Sequence, residues 1–391
     1  MYTKQNIKNI CIRQWLGVLI VLICLAACRN DGDDIIPPTE TLVTDGNTGP
    51  VKGFFLLNEG NMGSNKASLD YFDYETSVYH KNIFPERNPG VVNELGDVGN
   101  NIAIYGDKLY AVINCSHLVE VMDVNTAKHI ATIAIPNCRY IVFDKGYAYV
   151  SSYAGPVLID PNARLGYIAR IDTASLTVKD TCIVGYQPDE MVIAGDKMYV
   201  ANSGGYRVPN YDNTVSVIDL TTFKEVRKIV AGINLHRLER DNYDNIYVTS
   251  RGDRKNIRSN TYILNTKTDM ITHVLNLPAA ELCAAGDSIY VCSVEFNDNT
   301  GKNTVSYAII NTQTQSVVSR NFITDGTEKN IEIPYGIAVN PDTREIFITD
   351  ARDYINPGML YCFTPDGKKK WEVTTGDIPA HIVFTRKKLK D

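Results

Sequence analysis

Three repeating features predict an all-β fold, a seven-bladed β-propeller with four-stranded antiparallel blades. The first is a strand, a Gly-Asp turn and a second strand, seen at Ile102–Tyr110, Val192–Val200 and Ala284–Val291. Variant turns stand at Asp144-Lys145-Gly146, Asp244-Asn245 and Pro341-Asp342-Thr343-Arg344. Such pairs between alternating apolar runs are hairpin chemistry, because the turn needs positive φ angles. The second is the phrase Val121-Met122-Asp123-Val124-Asn125-Thr126, which returns as Val217-Ile218-Asp219-Leu220-Thr221. Looser copies are Arg170–Thr173, Tyr262–Thr266 and Ile309–Thr312. The third is a set of anchor aromatics at Phe55, Tyr110, Tyr149, Tyr199, Tyr247, Tyr290 and Phe347. Their mean spacing of about 49 residues is the period of a four-stranded unit. One such sheet cannot cover both of its apolar faces alone, and stacking around a ring covers them.

Composition is consistent with this and narrows the function. Of 391 residues, 44% are hydrophobic and 21% charged, too apolar for a disordered chain. The net charge of −6 argues against a nucleic-acid partner, which calls for a basic face. Length alone suggests two or three domains, but the unbroken repeat merges them into one ring.

Taken in order, residues 1–27 read as a signal peptide. Lys4, Lys8 and Arg13 precede an apolar run from Trp15 to Leu25, too short to span a bilayer. The run ends in Leu25-Ala26-Ala27-Cys28, which resembles a bacterial lipobox and implies Cys28 as the lipidated residue of a membrane-anchored lipoprotein. Residues 28–50 open with Arg29-Asn30-Asp31-Gly32-Asp33-Asp34 and continue rich in Pro, Thr and Asp, and are expected to form a flexible acidic tether. Residues 51–391 form the propeller. Its first repeat lacks an innermost strand before Phe54-Phe55-Leu56-Leu57-Asn58, whereas its last is followed by a surplus one, Ile378–Phe384. That segment matches Gln187–Ile193, which opens the fourth unit, so the C-terminal strand is expected to close the first blade and leave no open edge. Trp371 falls in the outer strand before it, as blade packing. No amphipathic helix interrupts the pattern.

Six cysteines remain after Cys28, with no C-x-x-C among them, which argues against a zinc knuckle or a redox motif. Cys283, Cys292 and Cys362 sit in apolar runs as core residues, and Cys115 and Cys138 could bridge if their loops adjoin.

Loops that follow second strands and loops that enter first strands open on one face of the ring. These are the long ones, rich in Tyr and Asn, while the opposite turns are tight. Stability needs only tight turns, so the extra length marks a binding face. Tyr offers rigid amphipathic area, and Asn offers both donors and acceptors. Loop position alone selects Asn58 and Glu59 in the first unit, then Asn101 and Asn114 in the second. The third supplies Arg139, Tyr140 and Tyr153; the fourth Tyr186, Asn202, Tyr206 and Arg207. The fifth supplies His236, Arg237 and Arg251, the sixth Phe296, the seventh Tyr335, Arg352 and Tyr354, and the closing strand His381. Arg139, Arg207, Arg237, Arg251 and Arg352 are suited to phosphate or amide contacts.

Catalytic signals are weak. No His-Glu-x-x-His, G-x-S-x-G or Walker pattern occurs. His117, His236 and His381 with Glu59, Glu190, Glu281 and Glu295 reach the same rim, yet no spacing selects an acid/base pair or a metal site. Asn297-Asp298-Asn299-Thr300-Gly301 has a calcium-loop flavour without the closing Glu.

The repeats, the Val-Ile-Asp-Leu-Thr phrase and Gln187-Pro188-Asp189 resemble YncE-like seven-bladed propellers. With the lipobox, the acidic tether and Asn58-Glu59-Gly60-Asn61, the chain resembles their Bacteroidetes surface-lipoprotein branch, including the BtuG-type cobalamin binders. The resemblance implies a non-enzymatic, lipid-anchored outer-membrane protein facing the cell exterior. It would capture cobalamin (vitamin B12) as cargo, with no catalytic cofactor, and deliver it to a TonB-dependent transporter. Two other classes stay open: a propeller lactonase or lyase using rim His and Glu, and a protein- or glycan-binding scaffold.

Overall fold

The computed structural model describes residues 39–42, 50–91, 94–297 and 301–390. Seven sheets follow one another, each antiparallel, in the order innermost to outermost. The innermost strands of blades 2 to 7 are Gly99–Tyr105, Cys138–Asp144, Pro188–Ala194, Leu235–Arg240, Glu281–Ala285 and Pro334–Val339. The innermost strand of blade 1 is Pro379–Thr385, paired with Gly53–Asn58 from Gly53↔Thr385 to Asn58↔Pro379. The ring therefore closes with its C-terminal strand. Thr349 Oγ1 of blade 7 donates to the carbonyl of Pro379 at 2.7 Å, and a Cβ on Gly336 would lie 1.9 Å from the carbonyl oxygen of Ala380. Glycine at 336 is what lets the last blade approach the closing strand.

The turns behave as their residues dictate. Gly106, Gly195 and Gly286 have φ of 64°, 63° and 65°, and the variant turns place Lys145, Asp244 and Arg344 at 46°, 62° and 63°. The Asp or Asn ending third strands is explained by its side chain. Asp123 Oδ1 accepts from the N–H groups of Asn125 and Thr126, and Asp172 accepts from those of Ala174 and Ser175. Asp219, Asn265 and Asn311 repeat the motif. The side chain thus holds the turn backbone that sets the outer strand's register.

Each blade buries both faces, because successive residues point to opposite sides. Phe55 joins the cluster shared with blade 2, and Phe54 the cluster shared with blade 7. Every one of the seven interfaces has its own apolar cluster. At the closure, Trp371 packs 5.2 Å from Phe72 and 5.8 Å from Phe347, ring centre to ring centre.

Two elements depart from expectation. Thr39–Leu42, assigned to the tether, pairs antiparallel with Val78–Lys81 and adds a fifth strand to blade 1. Its residues are all exposed, so backbone pairing to an open edge holds it, a contact that leaves no hydrophobic pattern to read. A short helix, Ile83–Arg87, links blades 1 and 2 and buries Ile83 and Phe84. It is too brief for helical periodicity to show. The remaining tether before Pro50, the signal peptide, Cys28 and Asp298–Thr300 lie outside the described residues. Cys115 and Cys138 are both free thiols. Among the described residues, no helix is long and apolar enough to cross a membrane.

Candidate functional site

The loops following second strands and the residues entering innermost strands meet at one end of the central channel. There, side chains from six blades interlock. Asp189, on the innermost strand of blade 4, is wholly buried and forms one pivot. Its Oδ1 accepts from Tyr153 Oη at 2.5 Å and Arg139 Nε at 3.2 Å, both from blade 3. Its Oδ2 accepts from Arg251 Nη1 of blade 5 at 3.3 Å. The Arg139 guanidinium also lies over the rings of Tyr153 and Tyr140, 5.0 and 5.9 Å from their centroids.

Arg237 is the second pivot. Its Nε and Nη2 both donate to Glu281 Oε1 of blade 6, at 2.9 and 2.5 Å, and its Nη1 donates to Tyr140 Oη at 2.6 Å. Glu190 Oε1 lies 3.8 Å from the same guanidinium, while Glu190 Oε2 accepts from the Leu238 N–H. A guanidinium can only donate, so Tyr140 accepts from it and gives its own proton to His236 Nε2, 3.1 Å away. This places the His236 ring proton on Nδ1. On the other side of the channel, Tyr335 Oη donates to Glu59 Oε2 at 2.8 Å. His381 Nε2, buried without a hydrogen-bond partner, lies 3.9 Å from Glu59 Oε1.

Burial sets the ionisation of these groups. It pushes Glu190 up to about 7, with Arg237 and the Leu238 N–H pulling the other way. Glu59 and Glu281 are raised by the same cause. Burial, reinforced by Arg251, Arg237 and Arg139, holds His236 well below its ordinary value, so the ring stays neutral. Burial followed by Arg237 and Arg139 does the same for His381. Deeper in the channel, burial and then Glu190 push Glu239 up to about 8.

The structure thus brings together Glu59, Arg139, Tyr140, Tyr153, His236, Arg237, Arg251, Tyr335 and His381. Tyr206 stands beside them, 6.2 Å from the Tyr153 ring, and its N–H donates to Gln187 Oε1. Tyr186 and Arg207 stack on each other at 3.5 Å on the blade 4 loop, with Arg207 Nη1 also donating to the Asn210 carbonyl. Tyr354 meets Tyr335 edge-on at 5.8 Å, while Arg352 is exposed on the same loop. Phe296 is 59% exposed on the long blade 6 hairpin, opposite Asn303.

Four selected asparagines have structural contacts instead. Asn58, Asn114 and Asn202 are buried within or between blades. Asn58 Nδ2 donates to Ser68 Oγ, Asn114 Nδ2 to Asn137 Oδ1 and the Cys138 carbonyl, and Asn202 Nδ2 to Thr214 and Ser216. Asn101 Oδ1 accepts from the Ile141 N–H and ties blade 2 to blade 3. Strands at a ring's end leave backbone groups to be satisfied, and an amide does so with both donors and acceptors. Position alone missed Asp189, although its Gln-Pro-Asp context was visible, and missed Glu239, which follows the inward alternation of its strand. Among the described residues, no group of three His, Cys, Asp or Glu is arranged to hold a metal ion.

Two solved structures share the fold. One is a quinonprotein alcohol dehydrogenase-like protein from Bacteroides thetaiotaomicron, with a TM-score of 0.56 and 17% identity over 86% of this chain and 79% of that one. The other is the hydrazine synthase of Kuenenia stuttgartiensis, with a TM-score of 0.56 and 17% identity over 68% of this chain and 77% of that one. At this identity the likeness is one of fold. No curated protein matches the sequence. Residues 52–384 match the family model described as domain of unknown function (DUF5074), and the chain belongs to that family.

Proposed function

We propose that the protein is a lipid-anchored receptor of the outer cell surface. Its propeller holds cobalamin at the loop-rich end of the channel and passes it to a TonB-dependent transporter. The observation that carries this reading is the convergence of aromatic and hydrogen-bonding side chains from six blades at one end of the ring. A corrin is broad, has apolar faces and is rimmed with amides. Tyr206, Tyr335 and Tyr354 keep accessible surface and supply flat area with polar tips, which suits such a guest, while the buried Tyr140 and Tyr153 brace the arginines beneath them.

The role is one of holding, not transforming. The titratable groups engage one another, Arg237 with Glu281, Tyr140 with His236 and Tyr335 with Glu59, an arrangement that pre-organises a surface. Exposed Met62, Ile159, Ile257, Phe296 and Ile355 stand on the surrounding loops of five blades. An apolar crown of this kind suits a protein partner seated over the rim. A tether raises the local concentration of captured cargo near that partner. Isothermal titration of the intact chain with cyanocobalamin tests the reading. Saturable one-to-one binding at micromolar ligand is expected, and the absence of heat would refute it.

A further inference from the structure

Of the five arginines suited to contact a ligand, the structure commits two elsewhere, sets one outside the centre and leaves two half-used. Arg237 has Nε and both terminal nitrogens occupied by Glu281 and Tyr140. Arg207 is stacked on Tyr186 and bonded to the Asn210 carbonyl. Arg352 stands exposed on the blade 7 loop, outside the interlocked centre. Arg139 and Arg251 differ. Each gives one N–H to Asp189, Arg139 through Nε at 3.2 Å and Arg251 through Nη1 at 3.3 Å. No other hydrogen bond reaches either guanidinium among the described residues.

Asp189 has no exposed surface, while the side chains of Arg139 and Arg251 keep 13% and 32% of theirs. One buried carboxylate, further occupied by Tyr153, thus positions two cations that it cannot fully neutralise. Among the described residues the Glu59 carboxyl accepts a hydrogen bond from Tyr335 and none from either guanidinium, and burial raises its pKa. The terminal nitrogens of Arg139 remain a free planar fork, the geometry that pairs with two oxygens of one anion.

We infer that Arg139 and Arg251, on either side of Asp189, form a clamp for an anionic oxygen group of the ligand, of the phosphodiester class. The clamp rests on the reading of the site as a cobalamin receptor and names the part of the ligand it grips, the phosphate of the nucleotide loop. Asp189 and Tyr153 act as positioning residues that hold the two forks.

Dicyanocobinamide keeps the corrin and lacks the phosphate and nucleotide. The test is titration of the intact chain and its Arg251→Gln variant with cyanocobalamin and with dicyanocobinamide, at low and high salt. Cyanocobalamin should bind the unaltered chain about tenfold to a hundredfold more tightly than dicyanocobinamide, the range of a charge-assisted pair. Arg251→Gln should remove most of that difference and most of its salt dependence, with a much smaller effect on dicyanocobinamide affinity. Retained dicyanocobinamide binding also shows that the variant is folded. Equal binding of the two corrinoids, or an equal loss of both in the variant, overturns the clamp and leaves the receptor reading standing. No binding of either overturns the receptor reading and the clamp with it.

Discussion

Buried titratable side chains at the channel end make the protein's stability depend on pH in a defined direction. Glu190 and Glu239 titrate in the fold at about 7 and about 8, raised from 4.5. Their contribution is complete below 4.5 and is lost as the pH climbs through those values. His236 and His381 are depressed below 6.5, so their contribution is present above that pH and lost as the pH falls. Above pH 6.5 the histidine contribution is complete and the glutamate contribution is being lost, so the thermal midpoint should fall between pH 6.5 and pH 8. Glu190→Gln and Glu239→Gln should flatten the alkaline limb. A midpoint that stays level from pH 6.5 to 8 in the unaltered chain would contradict this assignment. Residue identity alone could not reveal these shifts. Glu190, Arg237 and Glu281 come from blades 4, 5 and 6, and only ring closure makes them neighbours.

The closing strand is the element on which the ring depends most. Its pairing with Gly53–Asn58 covers the inner edge of blade 1 and completes the packing of Phe54 against Phe384, 5.9 Å apart. A chain ending at Asp377 should lose cooperative unfolding in urea and expose a sheet edge that aggregates. A permuted chain carrying residues 378–391 ahead of Val51 should restore the transition. An unchanged urea midpoint in the truncated chain would rule out this role. The element was legible in sequence because Ile378–Phe384 repeats the opening of blade 4 and has no partner within its own repeat. The Gly-Asp turns were legible because φ is a local property. Thr39–Leu42 was not, because an exposed strand held by backbone hydrogen bonds leaves no alternation. The buried roles of Asn58, Asn114 and Asn202 were hidden for a related reason. The same amide chemistry serves a ligand or a neighbouring strand, and only burial separates the two.

At the scale of the molecule, seven apolar interfaces carry stability, which frees one end of the ring to carry polar side chains at close quarters. Tight turns at the opposite end join strands and tie neighbouring blades, as Lys197 and Tyr199 do with Asp269, whereas the loop-rich end gathers the networks of Asp189 and Arg237 and an aromatic surround. On the proposed reading, this end and no other surface receives the guest. A crystal structure of the intact chain with cyanocobalamin tests it most directly. The corrin should lie over the channel end against Tyr206 and Tyr335, with its phosphate between Arg139 and Arg251. Ligand density on the opposite turns or along the outer strands, with the channel end left bare, would contradict it.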